Sequence, residues 1–125
     1  MSTRFTARKA DFPRTDTFAD RLVRYIRDRH EGDAPSVYAA AQVDRRTYSA
    51  IISDPFRPVS KRTALLFALA LRLGREEADG LLRSAGFALS PAIPEDVVCA
   101  EFIARGDYDL IRINIRLDEL GLKPL

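Results

Sequence analysis

The sequence predicts an all-α protein, built as a compact bundle of about seven helices. Apolar residues recur at three- and four-residue spacing along most of the chain, which is the period of one face of an α-helix. Glycines and prolines end most of these apolar segments, and no segment shows the strict apolar and polar alternation of a half-buried strand. The chain has 125 residues, of which 46% are hydrophobic, so it is long enough to bury the core of one domain.

Charge is distributed unevenly along the chain. The net charge is only +2, but residues 1–75 hold 15 Arg and Lys against 8 Asp and Glu, whereas residues 76–125 hold 5 against 10. A basic front half favours an anionic partner, although an ordinary solvated surface can show the same asymmetry.

Residues 1–15 show little periodicity and are interpreted as a flexible basic arm. The arm either lies along nucleic-acid phosphates or forms a solvated tail. Its basic residues are Arg4, Arg8, Lys9 and Arg14. It lacks the apolar core of a secretory signal, and no apolar run in the chain reaches the ~18–20 residues of a membrane span. We therefore expect a soluble, cytoplasmic protein without a membrane partner, folded as a single helical domain over residues 16–125.

The first predicted helix spans residues 18–30. Thr17 and Asp20 have the spacing of a capping box, in which each side chain accepts a hydrogen bond from the other residue's backbone N–H. Gly32 can take the left-handed conformation that closes the helix. The inward face is expected to comprise Phe18, Leu22, Tyr25 and Ile26.

Two shorter helices are predicted over residues 35–42 and 45–53. Pro35 suits the first position of a helix, where its missing N–H costs nothing, and Asp44 is a good N-cap for the helix that follows. Prolines after the second of these helices must end it. The inward residues are expected to be Val37, Tyr38 and Ala41, followed by Tyr48, Ile51 and Ile52.

Four further helices are predicted over residues 61–73, 76–85, 94–105 and 108–120. The first of them is apolar nearly all round, so it is expected to be the most buried. The expected caps and stops of these helices are Ser60, Gly74, Gly86, Gly106, Asp107 and Gly121. The expected inward residues of the last two helices are Val98, Cys99, Phe102, Ile103, Leu110, Ile113, Leu117 and Leu120.

The last predicted helix has two apolar sides, because Ile111 and Ile115 lie off its main stripe. One side packs on the bundle. The second side either packs on another copy of the chain, which predicts a homodimer through this helix, or is covered within the same chain.

Residues 37–52, with the sequence VYAAAQVDRRTYSAII, resemble the Cro/C1-type helix-turn-helix of bacterial and phage regulators. Gln42 departs from the family pattern, which usually has glycine in the turn. The residues that fill the family's apolar, turn, cap and inward positions are Val37, Ala41, Val43, Asp44, Tyr48 and Ile51. The resemblance covers about residues 18–86. It implies a lambda-repressor-like core over residues 16–86, followed by a C-terminal helical extension over residues 87–125.

The resemblance implies a sequence-specific transcriptional regulator that binds double-stranded DNA. Residues near the start of the second helix of the motif reach base edges in the major groove, and basic residues beside it contact phosphates. The implied base-contacting residues are Arg45, Arg46 and Ser49, and the implied phosphate-contacting residues are Arg57, Lys61 and Arg62.

The competing hypothesis is a helical protein–protein interaction module with a degenerate helix-turn-helix and no DNA binding. The modest net charge and the alanines at expected surface positions favour it. An enzyme is not expected, because His30, the single histidine, has no clear nucleophilic partner and no Gly-rich phosphate loop occurs. Cys99, the single cysteine, is interpreted as a buried structural thiol. No cofactor and no metal are predicted.

Overall fold

The computed structural model describes residues 16–125, so the basic arm predicted for residues 1–15 lies outside the described residues. The described chain is all-α, as the sequence predicted, and contains no strand. Its seven helices are α1 (Phe18–Arg29), α2 (Ala34–Ala40), α3 (Arg45–Ser53), α4 (Lys61–Ala70), α5 (Arg75–Ser84), α6 (Pro94–Ala104) and α7 (Leu110–Glu119).

The start of α1 is fixed by the capping box that the sequence predicted. The Thr17 backbone N–H donates to the Asp20 carboxylate and the Asp20 N–H donates to the Thr17 hydroxyl, both at 3.2 Å. Phe18, Leu22 and Ile26 point into the core. This core-facing side of α1 packs against α3 and α5.

Helix α4 lies at the centre of the bundle, between α2 and α5. Every residue from Ala64 to Leu69 is buried, which confirms the expectation from its nearly all-apolar circumference. The Phe67 ring contacts Phe18 of α1 edge-on, with ring centroids 6.1 Å apart.

The end of α4 differs from the sequence prediction, which extended the helix to residue 73 and used Gly74 as its stop. The helix ends at Ala70, and Arg72 rather than the glycine takes the left-handed conformation, with φ of 55°. The Leu73 N–H then reaches back to the Ala68 carbonyl at 3.1 Å, which satisfies a carbonyl at the helix end. Gly74 instead precedes α5 with extended backbone. The apolar pattern ran past the true end because the returning turn keeps Leu73 buried.

Helices α6 and α7 pack against each other, and α6 also packs on α5. The Tyr108 hydroxyl, just before α7, donates to the Leu73 carbonyl at 2.7 Å and ties the extension to the end of α4. The predicted cap of α7 was wrong. Asp109 is the N-cap and accepts from the Ile111 N–H at 3.0 Å, while Asp107, two residues earlier, accepts from the Asp109 N–H.

The inner stripe of α7 is shorter than predicted. Ile113 and Leu117 are fully buried, but Leu120 is exposed because it lies in the turn that ends the helix. Ile111 and Ile115, on the second apolar side, are 72% and 55% exposed. None of the described residues covers them, so of the two interpretations the one with intramolecular cover is wrong for residues 16–125.

Candidate nucleic-acid interface

One side of α3 is exposed along the whole helix. Arg45, Arg46 and Ser49 are all exposed, and at 100° per residue their side chains share one face. Ser53, one turn beyond Ser49, continues this face and is also exposed. The sequence prediction missed Ser53, although its spacing of four from Ser49 and eight from Arg45 indicated the same face.

The opposite side of α3 holds the helix on the bundle. Ile51 is buried, and the Tyr48 ring lies against Tyr38 of α2, with centroids 5.0 Å apart. The Tyr38–Tyr48 contact fixes α3 on α2, while Ile51 joins the core shared with α1 and α4. The three sequence-predicted base-contacting residues are therefore presented to solvent by a helix whose other face is anchored.

The start of α3 is capped by Asp44, as predicted. Its carboxylate accepts from the Thr47 backbone N–H at 2.7 Å. The pKa of Asp44 is below its ordinary value, mainly because the carboxylate accepts a hydrogen bond from the Thr47 backbone. A hydrogen bond from the Thr47 side chain and the charge of Arg46 also lower this pKa. The carboxylate thus satisfies one of the free N–H groups at the start of α3.

The turn between α2 and α3 depends on Gln42, which has a left-handed backbone with φ of 59°. The Val43 N–H returns to the Tyr38 carbonyl at 2.9 Å, so the turn has the geometry for which glycine is the usual choice. The Gln42 side chain instead accepts from Arg62 Nη2 at 3.4 Å. This contact places Arg62, at the start of α4, beside the turn that leads into α3.

The loop between α3 and α4 carries a second exposed cation. Arg57 is exposed, and its N–H donates to the Asp54 carbonyl at 3.0 Å. Together with Thr47 of α3 and Ser60 and Thr63 at the start of α4, it lines a shallow depression. Arg57 thus lies beside Thr47 of α3, and Arg62 lies beside Gln42 in the turn before α3.

Lys61 differs from the other sequence-predicted site residues. Its Nζ lies 2.6 Å from Asp96 Oδ2, and the Asp96 side chain is only 6% exposed. The same carboxylate oxygen accepts from the Ser90 N–H at 2.8 Å. Lys61 thus joins the start of α4 to the start of α6, and its charge is already balanced.

The remaining candidate groups offer no reactive constellation among the described residues. Cys99 is fully buried, as predicted, and desolvation raises the pKa of its thiol to about 12. Across residues 16–125 no three His, Cys, Asp or Glu side chains are grouped to hold a metal ion. Within the same residues no helix has both the length and the apolar character needed to cross a membrane.

No protein-family model, curated protein or solved structure shows significant similarity to the chain.

Proposed function

We propose that the protein is a DNA-binding regulator of the helix-turn-helix type, which reads double-stranded DNA with the exposed face of α3. The observation that carries the proposal is the shared exposure of Arg45, Arg46 and Ser49 on a short helix whose opposite face is anchored. The resemblance of residues 37–52 to the Cro/C1-type motif supports the same function. A single helix of this kind fits the width of the major groove.

The base contacts are assigned to the first turns of α3. Arginine suits paired hydrogen bonds to guanine, and each such contact is worth ~1–3 kcal/mol of discrimination against a wrong base. Ser49 is one turn beyond Arg45 and is short enough to approach a neighbouring base edge. Ser53 extends this face towards the helix end.

The phosphate contacts are assigned to Arg57 and Arg62, which flank α3 on the loop and on α4. Phosphate contacts fix the register of a protein on the duplex without reading sequence. Lys61 is assigned to the fold rather than to a phosphate, because withdrawing it would leave the buried Asp96 carboxylate without its cation.

The proposal includes a second copy of the chain bound through α7. Two copies related by a twofold axis engage two half-sites on one duplex. The exposed Ile111 and Ile115 side chains supply apolar surface for this contact.

The test is a titration of fluorescent random-sequence duplex DNA with the protein, read by anisotropy at low and moderate salt. We expect micromolar or tighter binding at low salt that weakens steeply as salt rises. Arg45→Ala with Arg46→Ala should weaken binding about tenfold or more. Arg57→Ala should instead lower the slope of log K against log salt by about 0.9, the effect of one lost phosphate contact.

The matched control removes two positive charges from the extension, with Arg105→Ala and Lys123→Ala, both at exposed positions. If this control weakens DNA binding as much as the α3 double variant, the binding follows net charge alone and the assignment to α3 is wrong. Absence of binding at low salt overturns the proposal as a whole.

A second candidate function is a protein–protein interaction module. Six large hydrophobic residues are exposed among residues 16–125, and five of them lie in the extension: Ile93, Val97, Ile111, Ile115 and Leu120. This concentration favours a partner-binding extension. Failure to bind DNA together with intact self-association through α7 would favour this function over the first.

A further inference from the structure

Helix α7 has a second apolar face, which is exposed. Ile111 and Ile115 are one turn apart and protrude on the side opposite the buried Ile113 and Leu117. The C-terminal residues of the chain cover a different side, because the Asn114 amide oxygen accepts from the Leu125 N–H at 2.8 Å.

The charges along this face run against the helix dipole. Arg112 lies in the first turn and Glu119 in the last, whereas a helix is stabilised by negative charge at its start and positive charge at its end. The Asp109 cap and Arg116 in the last turn follow the favourable pattern, so the reversed placement is confined to Arg112 and Glu119. The Arg112 guanidinium is 3.3 Å from Asp107 Oδ2, yet its side chain remains 67% exposed.

Arg112 and Glu119 lie on the same edge of the isoleucine stripe. They are seven residues apart, which is two turns, so their side chains align along the helix about 10 Å from each other. A twofold axis near Ile115 reverses the helix direction and keeps this edge facing its own copy. Arg112 of one chain then meets Glu119 of the partner at both ends of the contact.

We propose that two copies of the chain associate through an antiparallel α7–α7 contact, with Ile115 near the twofold axis, Ile111 towards each end, and Arg112 paired with Glu119 of the partner subunit. This arrangement specifies the self-association included in the proposed function, and it does not depend on DNA binding. In a parallel contact the twofold axis runs along the helices, so the edge that carries Arg112 and Glu119 faces the partner's other edge and this pairing is not made.

The contact is small. One ten-residue helix from each chain buries less than the ~1,200 Å² at the lower limit of stable interfaces. The association should therefore be weak in the absence of DNA, with a dissociation constant in the micromolar range or above.

The experiment is sedimentation equilibrium of the full chain, without DNA, over micromolar to millimolar concentrations. Wild type should associate to a dimer and no further, because a twofold contact closes on itself. Ile115→Lys should abolish the dimer. Val97→Lys, which makes the same change at an exposed apolar position of α6, should leave it unchanged.

Charge exchange tests the register. Arg112→Glu and Glu119→Arg each replace two attractive pairs by two repulsive ones and should raise the dissociation constant roughly tenfold. Mixing the two single variants pairs opposite charges again and should restore association in a heterodimer. The chain carrying both changes should also dimerise, and thermal melting of each variant separates this effect from loss of folding.

Each contrary result is informative. A wild-type chain that stays monomeric at every concentration overturns both the antiparallel contact and the self-association in the proposed function. A dimer that is insensitive to Ile115→Lys and to the charge changes overturns the α7 contact but leaves self-association through another surface. Neither result bears on DNA binding by α3, which the anisotropy titration measures separately.

Discussion

Lys61 Nζ and Asp96 Oδ2 are 2.6 Å apart, and this pair joins the first residue of α4 to the first turn of α6. The carboxylate is nearly inaccessible, whereas the lysine side chain is 30% exposed. A buried carboxylate and a partly exposed cation therefore connect α4 to α6, in addition to the hydrogen bond from Tyr108 to the end of α4.

Removing the carboxylate should destabilise the protein. Asp96→Ala leaves the Lys61 ammonium and the Ser90 N–H without their acceptor. Breaking a fully buried pair costs ~3–5 kcal/mol, and the partial exposure of Lys61 reduces the expectation to roughly 1–3 kcal/mol. Urea unfolding monitored by circular dichroism measures the loss.

Glu95→Ala, at the neighbouring and more exposed position, is the control and should change stability by less than about 0.5 kcal/mol. Combining Asp96→Leu with Lys61→Met should recover much of the loss, because both charges are removed together. An Asp96→Ala variant as stable as wild type would show that the pair contributes nothing.

The stabilisation that the Asp44 cap gives to the protein should depend on pH. Hydrogen bonding lowers the pKa of Asp44 in the folded state, so its stabilising contribution is present above the unfolded-state value of about 3.9 and is lost as pH falls through the folded value. The stability difference between wild type and Asp44→Ala should be constant near neutral pH and shrink below about pH 4. Asp44→Asn keeps an acceptor that does not titrate, so its difference from Asp44→Ala should persist in acid. Denaturant unfolding at several pH values provides the data, and a difference independent of pH would contradict the cap.

The turn before α3 should tolerate glycine better than its natural residue. Gln42 has φ of 59°, a conformation that costs a side-chain-bearing residue about 1 kcal/mol relative to glycine. Gln42→Gly should therefore raise the free energy of unfolding by up to about 1 kcal/mol, less the value of the Arg62 contact. Ala39→Gly makes the same kind of change at an exposed position inside α2 and should lower stability by about 1 kcal/mol. Equal effects at the two positions would be inconsistent with the left-handed turn.

A close approach between α1 and α5 should couple Arg21 to Gly80. A Cβ added at Gly80 would lie 2.7 Å from Arg21 Nη1, and the Arg21 Nε atom is buried without a hydrogen-bond partner. Gly80→Ala gains helix propensity of about 1 kcal/mol but must displace the guanidinium from its contact with Asp16. The substitution should be nearly neutral in wild type and stabilising by about 0.5–1 kcal/mol more in an Arg21→Ala background. Additive effects in this double-mutant cycle would show that the two positions do not interact.

The sequence predicted helix bounds best where nearby residues determine where a helix begins and ends. The bounds of α3 were predicted without error because Asp44 is a strong cap and the apolar pattern is unambiguous. The prediction for the end of α4 was wrong because the turn there places Arg72, not Gly74, in the left-handed conformation that glycine favours. The prediction of Asp107 as the cap of α7 was wrong because Asp109, two residues later, suits the same role. The Lys61–Asp96 pair joins residues far apart in sequence, so local pattern alone gave no means of predicting it. The exposed face of α3 was predictable from helical spacing, and this includes Ser53, which the prediction missed.

Two neighbouring residues at the start of α4 contact different parts of the molecule. Arg62 reaches towards the turn before α3, and Lys61 is bound to the carboxylate that anchors α6. A shift of this helix end would therefore move both contacts together. The first turn of α4 thus couples the position of the turn before α3 to the anchorage of α6, although these elements are not neighbours along the chain.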